Sequence, residues 1–326
     1  RLFPPEISHT LSLVALKSLS YFYFKEPKPI VSNDIEVLGL KFLNRIGLAA
    51  GMDKNADYIE PLAYLGFGFL ELGTLTPRAQ TGNFKPRLFR LTKERSLINR
   101  MGFNNKGIDH AVKKIKNSNS KAVIGLSIGM NFDTPLDKAV EDYLFCLERA
   151  YPVCDYIAVN ISSPNTKDLR KLESEKYFSN LITSLKKQQT FFSKNFGYKP
   201  IILKLSPDLQ EREMENICKE ILDKDIDAII CSNTTISHNY SQTGGLSGEE
   251  LFEISNKTLI SFRKFLGTTF PIIASGGVMS REHFEKKLKL GADLVQIYTG
   301  MIYEGPALVK DILNSQTSKK NNFIKT

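Results

Sequence analysis

Hydroxyl side chains and two amide side chains lie within one short segment, residues 160–166, which reads NISSPNT. The strand-type run 155–159 precedes it, so the polar cluster stands where a buried parallel strand would end in a loop. Pro164 fixes its own φ and favours an extended Ser163. The two amides can each donate and accept hydrogen bonds, which suits a planar ligand with carbonyl and N–H edges. Serine, proline and asparagine are also common in plain turns, so the segment alone supports either interpretation.

Eight short apolar or β-branched runs recur along the chain, as is typical of parallel strands buried on both faces. They cover residues 45–50, 68–72, 122–126, 156–159, 200–204, 228–231, 271–274 and 294–297. Apolar residues at helical spacing mark helices at residues 136–150, 179–194, 211–223 and 281–290. The pattern predicts an α/β fold, a (β/α)8 TIM barrel. An open doubly wound sheet is the alternative, disfavoured because no strand is followed by GxGxxG.

Short polar and glycine residues follow most of these runs. They are residues 50–54 (AGMDK), 73–76 (GTLT), 160–166, Lys204, 232–235 (SNTT), 275–277 (SGG) and 298–300 (YTG). In a barrel these positions meet at the carboxyl ends of the strands, where such folds carry their chemistry. The sequence therefore predicts an active site at that end.

Two segments fall outside the strand–helix repeat. Residues 81–105 form a long insertion, predicted to be a hairpin folded over the barrel mouth. Residues 1–30 carry apolar positions at roughly helical spacing, interrupted by polar ones. We predict an N-terminal amphipathic helical segment over residues 1–30 and a barrel over residues 31–326. The helical segment either packs on the barrel wall or lies on a membrane surface.

Composition narrows the class of protein. The 326 residues are 42% hydrophobic and 24% charged, as expected of a globular chain with a full core. The net charge of +9 is spread out, which indicates a solvated basic surface and no nucleic-acid partner. Four scattered histidines and four cysteines without CxxC spacing predict no metal site. Cys146, Cys154 and Cys231 lie in apolar surroundings and are predicted to be reduced core residues. No run of about 18 apolar residues is present in the sequence.

The strand-end residues suggest particular chemistry. The glycine turns 275–277 and 298–300 match the phosphate site common to such barrels. Lys204 could form a Schiff base, stabilise negative charge on a flavin, or be a salt-bridged structural lysine. A cation and several amides match a carboxylate on a small amide-rich ring: Lys54, Asn99, Asn160, Asn165 and Asn233. Asp53 is the only carboxylate nearby, and a structural role fits it as well as a role in acid–base catalysis. Ser163, with Thr166 close by, is the candidate base, and it requires desolvation and a hydrogen-bonded relay.

These motifs in combination resemble the dihydroorotate dehydrogenases, specifically the class 2, quinone-dependent, membrane-associated branch. The resemblance runs from about residue 9 to residue 306. It is carried by residues 47–54 (GLAAGMDK), 99–104 (NRMGFN), 160–166, 232–235, 244–248 (GGLSG) and 275–278 (SGGV).

The resemblance implies an FMN-binding barrel that oxidises dihydroorotate to orotate in pyrimidine synthesis. Ser163 matches the base that removes the C5 proton while hydride passes from C6 to flavin N5; class 1 members have cysteine there. The implied substrate contacts are Lys54, Asn99, Arg100, Met101, Gly102, Phe103, Asn160, Asn165, Asn233 and Thr234. The implied FMN contacts are Ala50, Gly51, Thr74, Ser127, Asn160, Lys204, Ser232, Gly248, Gly277, Tyr298 and Thr299. Ser127 stands where the family usually has Asn, and Ser232 where it has Thr.

The resemblance also gives the N-terminal segment a role. In class 2 members it forms a helical pair in the membrane surface that opens a tunnel for quinone, and His9 and Arg90 match tunnel positions. This implies peripheral attachment to the cytoplasmic face of a bacterial inner membrane. The sequence leaves the oligomeric state open, with a monomer as one candidate.

Two other functions compete with this one. A flavin barrel acting on RNA, such as a dihydrouridine synthase, fits the basic charge, but the cysteine acid of that family has no counterpart here. A flavin- or phosphate-binding membrane module without enzymatic activity leaves Ser163, Asn165 and Lys54 together unexplained.

Overall fold

The computed structural model describes residues 3–23 and 35–323. In chain order the strands are β1 (Ile35–Val37), β2 (Leu40–Phe42), β3 (Ile46–Leu48), β4 (Phe69–Leu75), β5 (Leu88–Leu91), β6 (Ser96–Asn99), β7 (Val123–Ile128), β8 (Tyr156–Asn160), β9 (Ile201–Leu205), β10 (Ala228–Cys231), β11 (Gly245–Gly248), β12 (Ile272–Ser275) and β13 (Leu294–Ile297). The α-helices are α1 (Pro5–Tyr23), α2 (Ile59–Ala63), α3 (Ile108–Lys116), α4 (Ala139–Ala150), α5 (Glu175–Phe196), α6 (Glu211–Asp223), α7 (Leu251–Leu266), α8 (Arg281–Lys289), α9 (Thr299–Glu304) and α10 (Pro306–Phe323).

Eight of these strands close into a parallel barrel, which confirms the predicted fold. The order around the barrel is β3, β4, β7, β8, β9, β10, β12, β13 and back to β3. The closing pair, with Val295 opposite Ile46, excludes the open doubly wound sheet. Each barrel strand coincides with one of the predicted apolar runs, because a strand covered by side chains on both faces needs apolar residues at successive positions.

Aromatic side chains and a small hairpin fill the amino-terminal end of the barrel. A Cβ on Gly47 would lie 2.1 Å from the Phe69 ring, and one on Gly125 would lie 2.0 Å from the Tyr156 ring. These glycines therefore make room for the two rings inside the barrel. The antiparallel pair of β1 and β2 packs below, where Phe42 meets the Phe69 ring edge-on at 5.5 Å.

The insertion at residues 81–105 contains the predicted hairpin, formed by β5 and β6. A third strand, β11, pairs with β6 on the other side, which the sequence analysis did not predict. This pairing sets Gly245 opposite Asn99 and Gly248 opposite Ser96. The loop after the sixth barrel strand is thereby joined to the hairpin over the barrel mouth.

One helix, α1, represents the N-terminal segment within the described residues. The rest of the predicted segment, residues 24–30, lies outside the described residues. Leu13 is buried against the rest of the protein. α1 also carries exposed apolar side chains, Ile7 (50%), Leu11 (49%) and Val14 (48%), and Phe3 (55%) just before the helix is exposed too. The division at residue 30 stays a prediction. Over the described ranges, no helix has the length and apolar character needed to cross a membrane.

Candidate active site

The carboxyl ends of the barrel strands converge on one pocket, here called the central pocket. Predicted site residues that line it are Ala50, Gly51, Lys54, Thr74, Asn99, Met101, Gly102, Phe103, Asn160, Ser163, Asn165, Lys204, Ser232, Asn233, Thr234, Gly248, Gly277, Tyr298 and Thr299. The structure therefore brings together residues that lie far apart in sequence, as the barrel prediction requires.

Ser163 lies on the loop after β8, buried at the wall of the central pocket. Its Oγ accepts a hydrogen bond from the Asn165 backbone N–H at 3.3 Å. The neighbouring Ser162 turns away and donates to the Lys204 carbonyl. The Thr166 hydroxyl is also buried and has no hydrogen-bond partner within the described residues. The loop thus holds one fixed and one unsatisfied hydroxyl three residues apart.

The asparagine side chains of the pocket are linked to one another. Asn165 Nδ2 donates to Asn99 Oδ1 at 3.2 Å, and Asn99 Nδ2 donates to the Gly245 carbonyl at 3.3 Å. Across the pocket, Asn233 Nδ2 donates to Asn160 Oδ1 at 3.2 Å. Such mutual bonds hold the amides in fixed orientations while leaving other donor and acceptor positions for a ligand.

Lys54 brings a cation to the same pocket. Its Nζ donates to the Gly51 carbonyl at 2.7 Å. Burial lowers the pKa of Lys54 to about 8, and the charge of Glu6 on α1 opposes that effect. Asp53 is structural, because its carboxylate accepts backbone N–H groups of the following loop, including Tyr58 at 2.7 Å. Burial raises the pKa of Asp53, and these bonds act against the rise.

Glu6 ties α1 to the loop over the pocket. Its carboxylate forms a bidentate pair with Arg87, at 2.6 and 3.3 Å. The Arg87 guanidinium also donates to the Asn83 carbonyl at 3.0 Å, and Asn83 Nδ2 donates to the Asn165 carbonyl at 3.0 Å. The Arg87 hydrogen bond lowers the pKa of Glu6. The N-terminal helix therefore contacts the candidate substrate loop through a buried arginine.

Lys204 lies at the floor of the pocket and is salt-bridged. Its Nζ is 3.1 Å from Oε1 of Glu71, a fully buried carboxylate on β4. The other Glu71 oxygen accepts from Gln296 Nε2 at 2.6 Å. Gln296 lines the pocket, and its Oε1 has no hydrogen-bond partner among the residues described. The floor thus presents a fixed cation and an unsatisfied carbonyl oxygen to a ligand.

Two of the predicted substrate and FMN contacts do not line the central pocket. Ser127 is buried one side chain behind it, where its Oγ is 2.9 Å from Thr74 Oγ1. Because serine is shorter than the asparagine usual in the family, it reaches Thr74 rather than the cavity. Arg100 points outward and donates to the Pro86 carbonyl and the Thr243 hydroxyl.

The glycine turn after β12 fits a phosphate. Gly276 and Gly277 have φ of 110° and 74°, a conformation that favours glycine. Both line the pocket, and the backbone N–H groups of Gly277 and Val278 have no acceptor among the described residues. Nearby, Thr299 Oγ1 and Ser247 Oγ lie 2.9 Å apart at the pocket wall. Free N–H groups on a glycine turn are suitable donors to a phosphate.

A second cavity of about 480 Å³, here called the side tunnel, lies between α1 and the barrel. His9, Leu88, Leu97 and Tyr298 line both the central pocket and the side tunnel, so the two spaces adjoin. Burial lowers the pKa of His9 to about 4, so its imidazole is neutral near pH 7. Arg90 lines the tunnel and donates to Ser8 Oγ at 2.8 Å.

Sequence reasoning missed three polar residues at this site. Glu71 and Gln296 lie within apolar strands, and a polar residue at an inward-facing strand position was the signal that could have found them. Glu6 lies in the first turn of α1, where an acidic residue is an ordinary helix-terminal feature.

Within the ranges described, no group of three or more metal-ligating side chains is present.

A closed parallel barrel with a polar pocket at its carboxyl end defines a (β/α)8-barrel enzyme. The model of the family described as dihydroorotate dehydrogenase matches residues 33–318. The chain belongs to the dihydroorotate dehydrogenase family, whose members are flavin-dependent oxidoreductases.

Curated relatives place it in the quinone-dependent class. It is 46% identical to the dihydroorotate dehydrogenase (quinone) of Azoarcus sp. strain BH72 over 318 residues, 95% of this chain and 94% of that protein. It is 45% identical to the enzyme of the same name from Buchnera aphidicola over 324 residues, 96% of each chain. The predicted class 2 membership is confirmed.

Solved structures of dihydroorotate dehydrogenases share the fold of this chain. The crystal structure of the Eimeria tenella enzyme in complex with ferulenol has a TM-score of 0.88 and 32% identity, covering 98% of this chain and 92% of that one. The ligand-free form has a TM-score of 0.87 and 33% identity, covering 98% and 95%.

Proposed function

We propose that this protein oxidises dihydroorotate to orotate in pyrimidine biosynthesis, with FMN as the hydride acceptor, Ser163 as the base and a membrane quinone as the final electron acceptor. The supporting observation is the pocket that holds Ser163, the linked asparagines and the Lys204 cation, directly adjoining the side tunnel. The sum of the reaction is dihydroorotate plus quinone giving orotate plus quinol.

The substrate is held by complementary polar groups. Lys54 pairs with the carboxylate, and the amides of Asn99, Asn165 and Asn233 bond the carbonyl and N–H edges of the ring. Asn160 and Thr234 complete the ring contacts, and Met101, Gly102 and Phe103 cover the substrate. Arg100 supports this loop from outside through the Pro86 carbonyl.

Ser163 removes the C5 proton. A serine hydroxyl is a weak base, so the proton must pass onward as it is taken. The buried Thr166 hydroxyl, with its unused hydrogen-bonding capacity, is the next acceptor along the loop. The Asn165 N–H holds the Ser163 oxygen in place while this occurs.

The floor and walls of the pocket fit FMN. Lys204 and Gln296 face the flavin ring, and Thr74, backed by Ser127, adds a hydroxyl. The backbone of Gly277 and Val278, with Thr299, holds the phosphate; the remaining contacts come from Ala50, Gly51, Asn160, Ser232, Gly248 and Tyr298. Bound there, FMN supplies the hydride acceptor for the substrate C6 hydrogen.

The quinone enters through the side tunnel. The neutral His9 imidazole and the Arg90 guanidinium offer hydrogen bonds to quinone carbonyls at the tunnel wall. The exposed apolar side chains of α1 attach the protein peripherally to the membrane that supplies the quinone.

The pH profile tests the role of Lys54. In the free enzyme burial lowers the pKa of Lys54 to about 8, so the cation that binds the carboxylate is lost above that pH. We expect kcat/KM for dihydroorotate to fall about tenfold per pH unit above about 8. Lys54→Arg, which stays charged, should move this fall to higher pH. A wild-type kcat/KM that stays flat well above pH 8 would remove Lys54 from carboxylate binding.

The function is tested by mixing the purified FMN-loaded protein with dihydroorotate without oxygen. Loss of the oxidised flavin absorbance and formation of orotate are expected. An unchanged flavin spectrum would contradict the proposal.

A further inference from the structure

A lysine on α8 is buried without an anionic partner. Lys287 has no exposed surface. Its Nζ donates to Ser255 Oγ at 2.6 Å and lies 5.3 Å from the centroid of the Phe252 ring. Among residues 3–23 and 35–323 it forms no ion pair with a carboxylate. Buried cations are costly unless an opposite charge compensates them, so this site calls for an anion.

Ser255 links Lys287 to the glycine turn after β12, on the side of the turn that faces away from the central pocket. An ammonium cannot accept, so Ser255 Oγ accepts from Lys287 and has one proton left to donate. That oxygen lies 2.9 Å from the Gly276 carbonyl and 2.9 Å from the Phe252 carbonyl. A Cβ on Gly277 would lie 2.3 Å from Phe252 Cα, so the backbone of α7 packs directly against the turn.

Other titratable groups around Lys287 do not supply the missing charge. Burial lowers the pKa of Lys287 to about 8, against the effects of the Cys231 thiol and the Glu253 carboxylate. Burial also raises the pKa of Cys231 to about 12, so that group is neutral near pH 7. His283 stacks on Phe252 at 3.9 Å, and its Nδ1 lies 3.1 Å from the Gly277 carbonyl. Glu253 is exposed.

We propose that Lys287 is the buried counter-charge of the cofactor phosphate, acting through Ser255 and the Gly276–Gly277 turn to favour a phosphorylated flavin over an unphosphorylated one. The inference rests on the proposed binding of FMN. Lys287 is a positioning residue that does not line the pocket. Its charge acts across a buried wall, where electrostatic interactions are less screened than in solvent.

The test compares FMN with riboflavin, which lacks the phosphate, on the full chain freed of flavin. Flavin fluorescence gives both dissociation constants for the wild type, Lys287→Met and Lys286→Met, the last an exposed neighbour on α8. In Lys287→Met we expect the Kd for FMN to rise about 10- to 100-fold, with riboflavin binding within about twofold of wild type. Lys286→Met should resemble the wild type.

A Lys287→Met variant that loses affinity for both flavins by the same factor, or for neither, would overturn the inference. If Lys287→Met does not fold, Ser255→Ala provides the second variant, since it keeps the lysine and breaks its link to the turn. A loss confined to FMN supports the inference there too, and an equal loss or no loss overturns it. Binding of neither flavin by the wild type would instead overturn the proposed cofactor.

Discussion

Replacing Ser163 by alanine should slow reduction of the flavin by dihydroorotate about 10²- to 10⁴-fold, the range for loss of a positioned general base. The side chain is buried in the pocket wall, and its oxygen is fixed by the Asn165 N–H. Alanine leaves no group in that place to take the C5 proton. The rate is measured by stopped-flow absorbance of the flavin after anaerobic mixing with dihydroorotate.

Two comparisons make the Ser163 result specific. FMN binding by Ser163→Ala should equal that of the wild type, because the flavin contacts remain. Ser163→Cys places the base of the class 1 branch at the same position, so it should recover part of the lost rate with a changed pH dependence. Flavin reduction at the wild-type rate in Ser163→Ala would remove this residue from its role.

Filling the side tunnel should abolish most quinone reduction and leave flavin reduction by dihydroorotate unchanged. Ala15 on α1 lines the tunnel, so Ala15→Trp occupies the space a quinone needs. Ser18 lies on the same helix and is exposed outside the tunnel lining, so Ser18→Trp is the matched control. Turnover with a short-chain quinone in detergent and anaerobic flavin reduction are measured on both variants.

Deleting residues 1–23 extends this experiment. Quinone reduction should be lost, while flavin reduction should persist at saturating dihydroorotate. The deletion also removes Glu6, the ion-pair partner of Arg87, so we expect a higher KM for dihydroorotate than in Ala15→Trp. Normal quinone turnover by both the deletion and Ala15→Trp would show that the side tunnel is not the quinone route.

The barrel was predictable because each parallel strand must be apolar on both faces, which leaves a clear run in the sequence. Strand β11 was not predicted, because residues 245–248 read GLSG and lack that pattern. It exists because the backbone pairs with β6 from residue 99 to residue 96. Pairing between distant segments of the chain leaves little trace in local sequence.

The site was predictable where a motif follows a strand, as for Ser163 and Lys54. It was not predictable where a site residue interacts with a side chain that is far away in the sequence. Lys204 was expected at the strand end, but its counter-ion Glu71 is on another strand and becomes visible only when the barrel closes. Ser127 was expected to contact the flavin; its Oγ lies 2.9 Å from Thr74 Oγ1, and the flavin contact stays a prediction. The length of a side chain is known from sequence, but the distance it must span is not.

The most direct test of the whole account is dihydroorotate oxidation by the purified FMN-loaded protein with a quinone, fumarate or NAD as the electron acceptor. We expect steady orotate formation with the quinone and little with fumarate or NAD, because the side tunnel gives a quinone access to the edge of the central pocket. Efficient turnover with fumarate or NAD and none with the quinone would contradict the account.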